Sequence, residues 1–393
     1  MIKTLEGVKV VSFARAAAGI SCAKVLGEFG ADVIFVEAVK GAALRKLRYN
    51  EFYLCGQKSV PVNLRDPRGM EFMHKLIADA DVFISNYRYK ALQAMGLDYE
   101  TLHEKYPKLV FATINGYGFS GPMKDAPGFD ITAFWARAGI INDVMDRGSQ
   151  PLIAPAGMGD VAAGTNLAMG VVSALYKRMQ TGEGMKVYTS LYNYGLYLNH
   201  AQIMDQQDGL KFPKTRKDPG CALKNSFHCS DGWVQMMTLD FDKDFKNILH
   251  IIHRDDLIGD PRWTCMQDTE GEKAIELTQI LDEAFAKITV EEAVKGFESV
   301  DMACSAYYPG LFSTTDEQAE ANKYFVEVTK ASGQKMKVPV SPIKMGDDEP
   351  SDFDLYTPHL GENTVEVMKA YGYTDAEIQT LIDEKVVVSN PKA

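Results

Sequence analysis

Two apolar runs separated by a helix-length segment constrain this chain more than any other feature. Val8 to Phe13 reads as a buried strand, Ser21 to Phe29 as a helix, and Ala31-Asp32-Val33-Ile34-Phe35-Val36-Glu37 as a second strand that ends in an acid. A short apolar run bounded by turn residues fits a strand covered on both faces, and two of them joined by a helix pair in parallel. The opening therefore predicts a βαβ unit inside an α/β doubly wound sheet, with ligands beyond the carboxyl ends of its strands.

The turn after the first strand decides against one ligand class. Phe13-Ala14-Arg15-Ala16-Ala17-Ala18-Gly19 holds one glycine, whereas a dinucleotide turn needs G-x-G-x-x-G at that place. Nicotinamide and flavin dinucleotides are not expected, and Glu37 is an ordinary strand-end acid. Gly116-Tyr117-Gly118-Phe119-Ser120-Gly121 matches the same letters, but Pro122 follows and Met123 to Pro127 has no helical period. This is a glycine loop that can line a ligand site. Further strands are expected at Ser59–Val62, Asp81–Ser85, Leu109–Ile114 and Lys186–Ser190, and Val161 to Met179 is apolar enough to predict a buried helix.

At 393 residues the chain exceeds a typical single core, so two unequal domains are expected. Residues 1–205 form the first part of a large Rossmann-like domain, and 206–220, polar and rich in Pro and Lys, reads as a linker. A smaller α+β domain follows over 221–320, with a hairpin around Asp231-Gly232. Residues 321–393 return to the large domain.

A net charge of −11 argues against a general nucleic-acid binder, so an anionic ligand needs a local basic patch. Residues 40 to 90 supply one. Arg65 and Arg68 flank Pro67 at a helix start and read as a solvated face; Lys58, before a strand, and Arg88, after one, are the phosphate candidates. The six cysteines are scattered without a C-x-x-C pair, which suits reduced thiols, no structural disulfide and no zinc. His250 and His253 lack a carboxylate to complete a ligand set, so no metal is expected. No signal segment and no run long enough to span a bilayer is visible, which predicts a cytoplasmic protein without a membrane partner.

The chemistry centres on Ala154-Pro155-Ala156-Gly157-Met158-Gly159-Asp160-Val161-Ala162-Ala163-Gly164. A glycine-rich turn running into a helix lets a ligand approach the main chain and aims unpaired N–H groups at it. Asp160 is either the nucleophile presented there or the N-cap of the helix, and the turn alone favours the cap. Asp130, after Gly128-Phe129, is read the same way, as a helix cap or a supporting acid.

Taken together, the pieces resemble the class III CoA-transferases, the carnitine and formyl-CoA transferase type, over essentially the whole chain. They are Leu5-Glu6-Gly7-Val8-Lys9-Val10, Gly30 to Glu37, Lys58, Asn86-Tyr87-Arg88, Gly116-Tyr117-Gly118 with Gly121-Pro122, and Gly128-Phe129-Asp130. Gly159-Asp160, Thr181-Gly182-Glu183-Gly184, Asp231-Gly232 and Leu360-Gly361-Glu362 complete the set. Within the family, Gly96 to Leu102 and Asp125 to Asp130 look closest to the phenyllactate and 2-hydroxyisocaproate enzymes of amino-acid-fermenting anaerobes. The resemblance implies an interlocked homodimer, coenzyme A as co-substrate, and Asp160 as a nucleophile that carries an acyl anhydride and then a CoA thioester. It places CoA against Lys58, Arg88, Ala17 and Gly116, with Gly159 and Gly220 as oxyanion or loop support.

Two departures refine this. Ala16-Ala17-Ala18 stands where formyl-CoA transferases carry a glutamine, which favours a bulkier acid than oxalate. Phe129 stands where the racemases of this fold need histidine, so acyl-CoA racemisation, the main alternative, lacks its second proton-transfer group. A CoA-binding protein without turnover is the remaining alternative.

Overall fold

The computed structural model of the chain describes residues 3–329, 334–346 and 356–390. Its opening is the expected βαβ unit: β1 (Lys9–Phe13), α1 (Ala17–Glu28) and β2 (Asp32–Glu37), with Lys9 opposite Asp32 and Ser12 opposite Phe35. There follow α2 (Asn50–Leu54), β3 (Lys58–Pro61), α3 (Pro67–Ala78), β4 (Val82–Ser85), α4 (Tyr89–Met95), α5 (Tyr99–Lys105) and β5 (Val110–Asn115). A wide-turn π-helical segment, Asp130–Arg137, leads to α6 (Ile140–Val144), the long α7 (Met158–Thr181) and β6 (Lys186–Ser190).

These six strands form one parallel sheet in the order β3-β2-β1-β4-β5-β6. The order reverses between β1 and β4, which opens a crevice beyond their carboxyl ends. Apart from the end residues Lys9 and Asn115, side chains of β1, β4 and β5 are buried on both faces, as their mostly apolar sequences require. On one face α3 adds Phe72, Met73, Leu76 and Ile77, each fully buried. Each such side chain contributes about 1.5–3 kcal/mol by leaving water. The C-terminal return joins that cluster through Ile378 and Leu381 of a helix at Asp375–Asp383 and through Val386 and Val387, with Val387 bridged to Val62. The parts of the return at 330–333, 347–355 and 391–393 lie outside the described residues.

On the other face α1 packs against α7, and small residues set the distance. A Cβ at Gly164 would fall 2.4 Å from the Ala18 carbonyl oxygen, so only glycine permits this crossing. The helix read as buried from its composition has a bare side, with Met169, Tyr176 and Met179 at 64%, 65% and 84% exposed.

The chain divides into two compact units. The first comprises Met1–Ile140, Ile153–Ile203 and Glu317–Ala393, and the second Ile141–Leu152 with Met204–Asp316. In the second, strands β7 (Lys224–His228) and β8 (Trp233–Met237) form the antiparallel hairpin read around Asp231-Gly232, and β9 (Ala303–Ala306) extends it. Phe227, Phe285 and Phe297 stack in its core. In the first unit a further hairpin, β10 (Phe325–Thr329) and β11 (Lys335–Pro339), comes from a stretch with no strand signal read in it. No helix among the described residues is long and apolar enough to cross a membrane.

Candidate active site

Asp160 is the third residue of α7, and it does not cap the helix. The N-cap is Gly157, whose φ of 88° excludes most side chains, and its carbonyl accepts the Val161 N–H at 2.9 Å. Asp130 takes three amides of the first turn. Its carboxylate accepts the Gly157 N–H at 2.8 Å and the Asp160 N–H at 3.2 Å, and the Gly159 N–H also points to it. The cap is therefore supplied from 30 residues upstream in the chain. Of the two roles read for Asp160, the capping one thus falls to Asp130, which also takes the N–H of Gly159.

Glycines make the arrangement fit. A Cβ at Gly159 would lie 2.3 Å from the Phe134 ring and 2.4 Å from the Asp130 carboxylate, so the turn closes on Asp130 only with glycine there. A Cβ at Gly116 would lie 2.7 Å from Gly128 Cα. Gly116 thus serves a close crossing of two backbones, and that crossing fixes the Phe129-Asp130 segment. Phe129 itself is exposed.

With its main chain held, the Asp160 carboxyl makes no hydrogen bond or ion pair among the described residues. Burial, with the Asp130 charge beside it, pushes it up to about 7. Burial raises Asp130 as well, against the amides that favour its ionised form. A half-buried carboxyl without a protein donor is more basic than a solvated one. Beside it lies a cavity of about 530 Å³, lined by Gly157, Met158, Val161 and Ala162 of the turn, by Tyr49, Phe52 and Tyr53, and by Met336 to Pro339 of β11. The walls are mainly apolar, with Glu51 and Lys337 as charged exceptions.

The remaining predicted residues fall in three places. Ala17 opens α1 beyond β1, and Arg88 precedes α4 beyond β4, on adjacent strands. Asn86 stitches the two turns together, accepting the Arg15 N–H at 2.7 Å and donating to the Ala16 carbonyl at 2.9 Å. Arg15 and Arg88 are both exposed there, without an ion pair among the described residues. Lys58 stands at the opposite, amino-terminal edge of the sheet, 2.9 Å from the Asp32 carboxylate and 3.8 Å from Glu366. Gly220 belongs to the second unit, in a turn with φ 80° whose carbonyl accepts the Gly271 N–H.

The sequence reading missed Arg15, Tyr53 and β11. Arg15 was visible as a lone cation after the first strand; Tyr53 and β11 carry no local signal, because only the tertiary fold brings them to the turn.

Residues 5–364 match the family model described as CoA-transferase family III. The chain is 34% identical to the (R)-2-hydroxy-4-methylpentanoate CoA-transferase of Clostridioides difficile, over 98% of this chain and 99% of that one. It is also 34% identical to the cinnamoyl-CoA:phenyllactate CoA-transferase of Clostridium sporogenes, over 98% of this chain and 97% of that one. A CAIB/BAIF family protein from Brucella suis, 23% identical, has the same fold, with a TM-score of 0.81 over 94% of this chain and all of that one. The sheet order, the glycine turn before Asp160 and these matches from the first strand to the C-terminal return agree, and the chain belongs to CoA-transferase family III.

Proposed function

We propose that this enzyme moves CoA from an acyl-CoA, of the enoyl or 2-hydroxyacyl type, to a free 2-hydroxy acid with a branched or aromatic side chain, such as 2-hydroxyisocaproate or phenyllactate. The observation that carries the reading is the half-buried Asp160 carboxyl, held by its backbone, without a hydrogen-bond donor, beside an apolar cavity of about 530 Å³. The 34% identity to two enzymes named for such acids supports the substrate class.

In this reading Asp160 attacks the donor thioester, and the acyl group passes to its carboxyl as a mixed anhydride while CoA leaves as thiolate. The thiolate attacks the aspartyl carbonyl, giving an aspartyl-CoA thioester and the free donor acid. The acceptor carboxylate attacks that thioester, and CoA returns to the new acyl group. Every step conserves an activated acyl bond, so the exchange needs no redox group or metal. Water is the competitor, and an acyl chain seated in the apolar cavity shields both intermediates from it.

Arg88, with Arg15 beside it, supplies charge for the CoA phosphates at the crevice beyond β1 and β4, where Ala17 leaves room for the chain. Lys58 has no part in this arrangement, since Asp32 already balances its charge at the far edge of the sheet. Gly116 acts through the backbone crossing that aims Asp130. The bare side of α7 is the contact between two copies in an interlocked homodimer, and six free thiols suit a cytoplasmic enzyme.

The test is incubation with a panel of acyl-CoAs and free acids, following CoA exchange by mass spectrometry, with Asp160→Ala as control. Exchange that requires Asp160, with a hydroxylamine-trapped adduct on it, supports the reading. Solvent deuterium at the α-carbon without exchange would support racemisation, and tight binding without either would leave a CoA-binding protein.

A further inference from the structure

Each addition in such a transfer puts negative charge on a carbonyl oxygen, and that oxygen needs donors. The amides at the start of α7 are the obvious source, but the Asp130 carboxylate already holds those of Gly157, Gly159 and Asp160, which leaves that of Met158 alone among them. A second donor has to come from another side of the cavity.

Tyr53 offers one. It lies on α2, is only 3% exposed, and lines the cavity beside Gly157 and Met158. Its hydroxyl reaches the turn itself, since a Cβ built on Gly157 would fall 2.7 Å from Tyr53 Oη. Among the described residues that hydroxyl has no hydrogen-bond partner. A hydroxyl at a cavity wall that no protein group engages is available to a ligand there. Burial, and then the Asp160 charge, push the phenol well above its ordinary range, so it remains protonated and able to donate.

We infer that Tyr53 is a catalytic residue, whose Oη–H donates a hydrogen bond to the acyl carbonyl oxygen as Asp160 attacks the donor thioester in the cavity. This rests on the CoA-transfer reading above. A carboxylate oxygen of Asp160 forms a bond to the carbonyl carbon, and the π electrons of C=O move to its oxygen. The Tyr53 hydrogen bond stabilises that oxyanion without giving up the proton. The oxyanion then collapses, the C–S bond breaks, and CoA departs as thiolate, leaving the anhydride on Asp160.

Tyr53→Phe keeps the ring and removes the donor. Measured on the full-length enzyme with an accepted acyl-CoA and acid, it lowers kcat about 100-fold, as losing one oxyanion donor does elsewhere. KM for the acyl-CoA stays within about twofold, and in single turnovers the hydroxylamine-trapped adduct forms more slowly by the factor seen in kcat. A residue that merely fills space beside Gly157 would leave both rates unchanged, and that result overturns the inference. A second probe covers a poorly folded variant: a tetrafluorotyrosine at position 53 has a more acidic phenol, so the alkaline limb of the kcat profile moves to lower pH. An unmoved limb also overturns the inference. If wild type exchanges CoA, Asp160→Ala abolishes it and Tyr53→Phe spares it, only the role of Tyr53 fails. If wild type exchanges no CoA, the transfer reading fails first and takes this inference with it.

Discussion

The Asp130 carboxylate accepts the backbone N–H of Asp160 at 3.2 Å, so one acid caps the helix that presents the other. The consequence is electrostatic as well as structural. Asp130 takes up the positive end of α7, which would otherwise favour the ionised form of Asp160, and adds a like charge nearby. Asp160 is left basic, and the reactivity proposed for it follows from that.

The pH dependence of kcat should show this directly. The nucleophile is the ionised carboxyl, and burial pushes Asp160 up to about 7. Transfer should therefore fall as pH drops through 7 and level off about one unit above it. An acidic limb near 4 would mean that Asp160 is solvated in the working enzyme.

Stability carries the opposite sign. Folding raises this carboxyl from an ordinary value of 3.8 to about 7, so the folded state binds the proton more tightly and loses stability as pH rises between those values. Asp160→Asn removes the penalty. Its gain in unfolding free energy should grow from pH 5 to pH 7.5 by roughly 2 kcal/mol, at about 1.4 kcal/mol per pKa unit. Urea melts at the two pH values measure it, and a gain independent of pH would contradict the assignment.

Asp130→Asn tests the relationship from the other side. The amide oxygen can still accept one N–H, but the charge beside Asp160 is gone, so the acidic limb of kcat should move below 7. Loss of the charged acceptor should also cost about 1–3 kcal/mol of stability. A purely structural role would lower stability without moving the limb.

How far the sequence carried depended on whether a feature is local. The strands at Val8–Phe13 and Ala31–Glu37 were legible because burial on both faces writes a mostly apolar run, and Lys186–Ser190, where only the last residue is buried, was legible from its β-branched and aromatic residues. Asp160 stood out from its glycines. The role of Asp130 was not legible, because an N-cap is looked for within a residue or two of the helix and this one lies 30 residues away. The same limit hid Tyr53 and β11, whose place in the cavity is set by packing between distant segments. Lys58 and Arg88 looked alike in sequence, and sheet polarity separates them: one begins a strand and the other follows one.

That separation predicts unequal effects. Arg88→Ala should raise KM for the acyl-CoA about tenfold, the equivalent of one charge-assisted contact, with kcat and the KM for the free acid unchanged. Raising the salt concentration should weaken wild type more than the variant. Lys58→Ala breaks an exposed pair with Asp32 and should change stability by no more than about 1 kcal/mol, with both KM values intact. A CoA-specific defect in Lys58→Ala would put the phosphates at the other edge of the sheet.

The bare side of α7 makes the last prediction. Met169, Val172, Tyr176 and Met179 recur at helical spacing on one face, and each is exposed in the isolated chain. A helix whose other side is packed against α1 does not carry such a stripe for its own fold, so the stripe fits an interface. At an isologous contact each substitution acts twice, once per copy. Tyr176→Asp with Met179→Glu should shift sedimentation equilibrium from twice the 43.5 kDa chain mass to the single chain, while far-ultraviolet circular dichroism keeps its helical signal. Because α7 also carries Asp160 in its first turn, the monomer should lose activity together with assembly, and both should return as protein concentration rises. Unchanged mass in the double variant would mean that the stripe meets something other than a second copy.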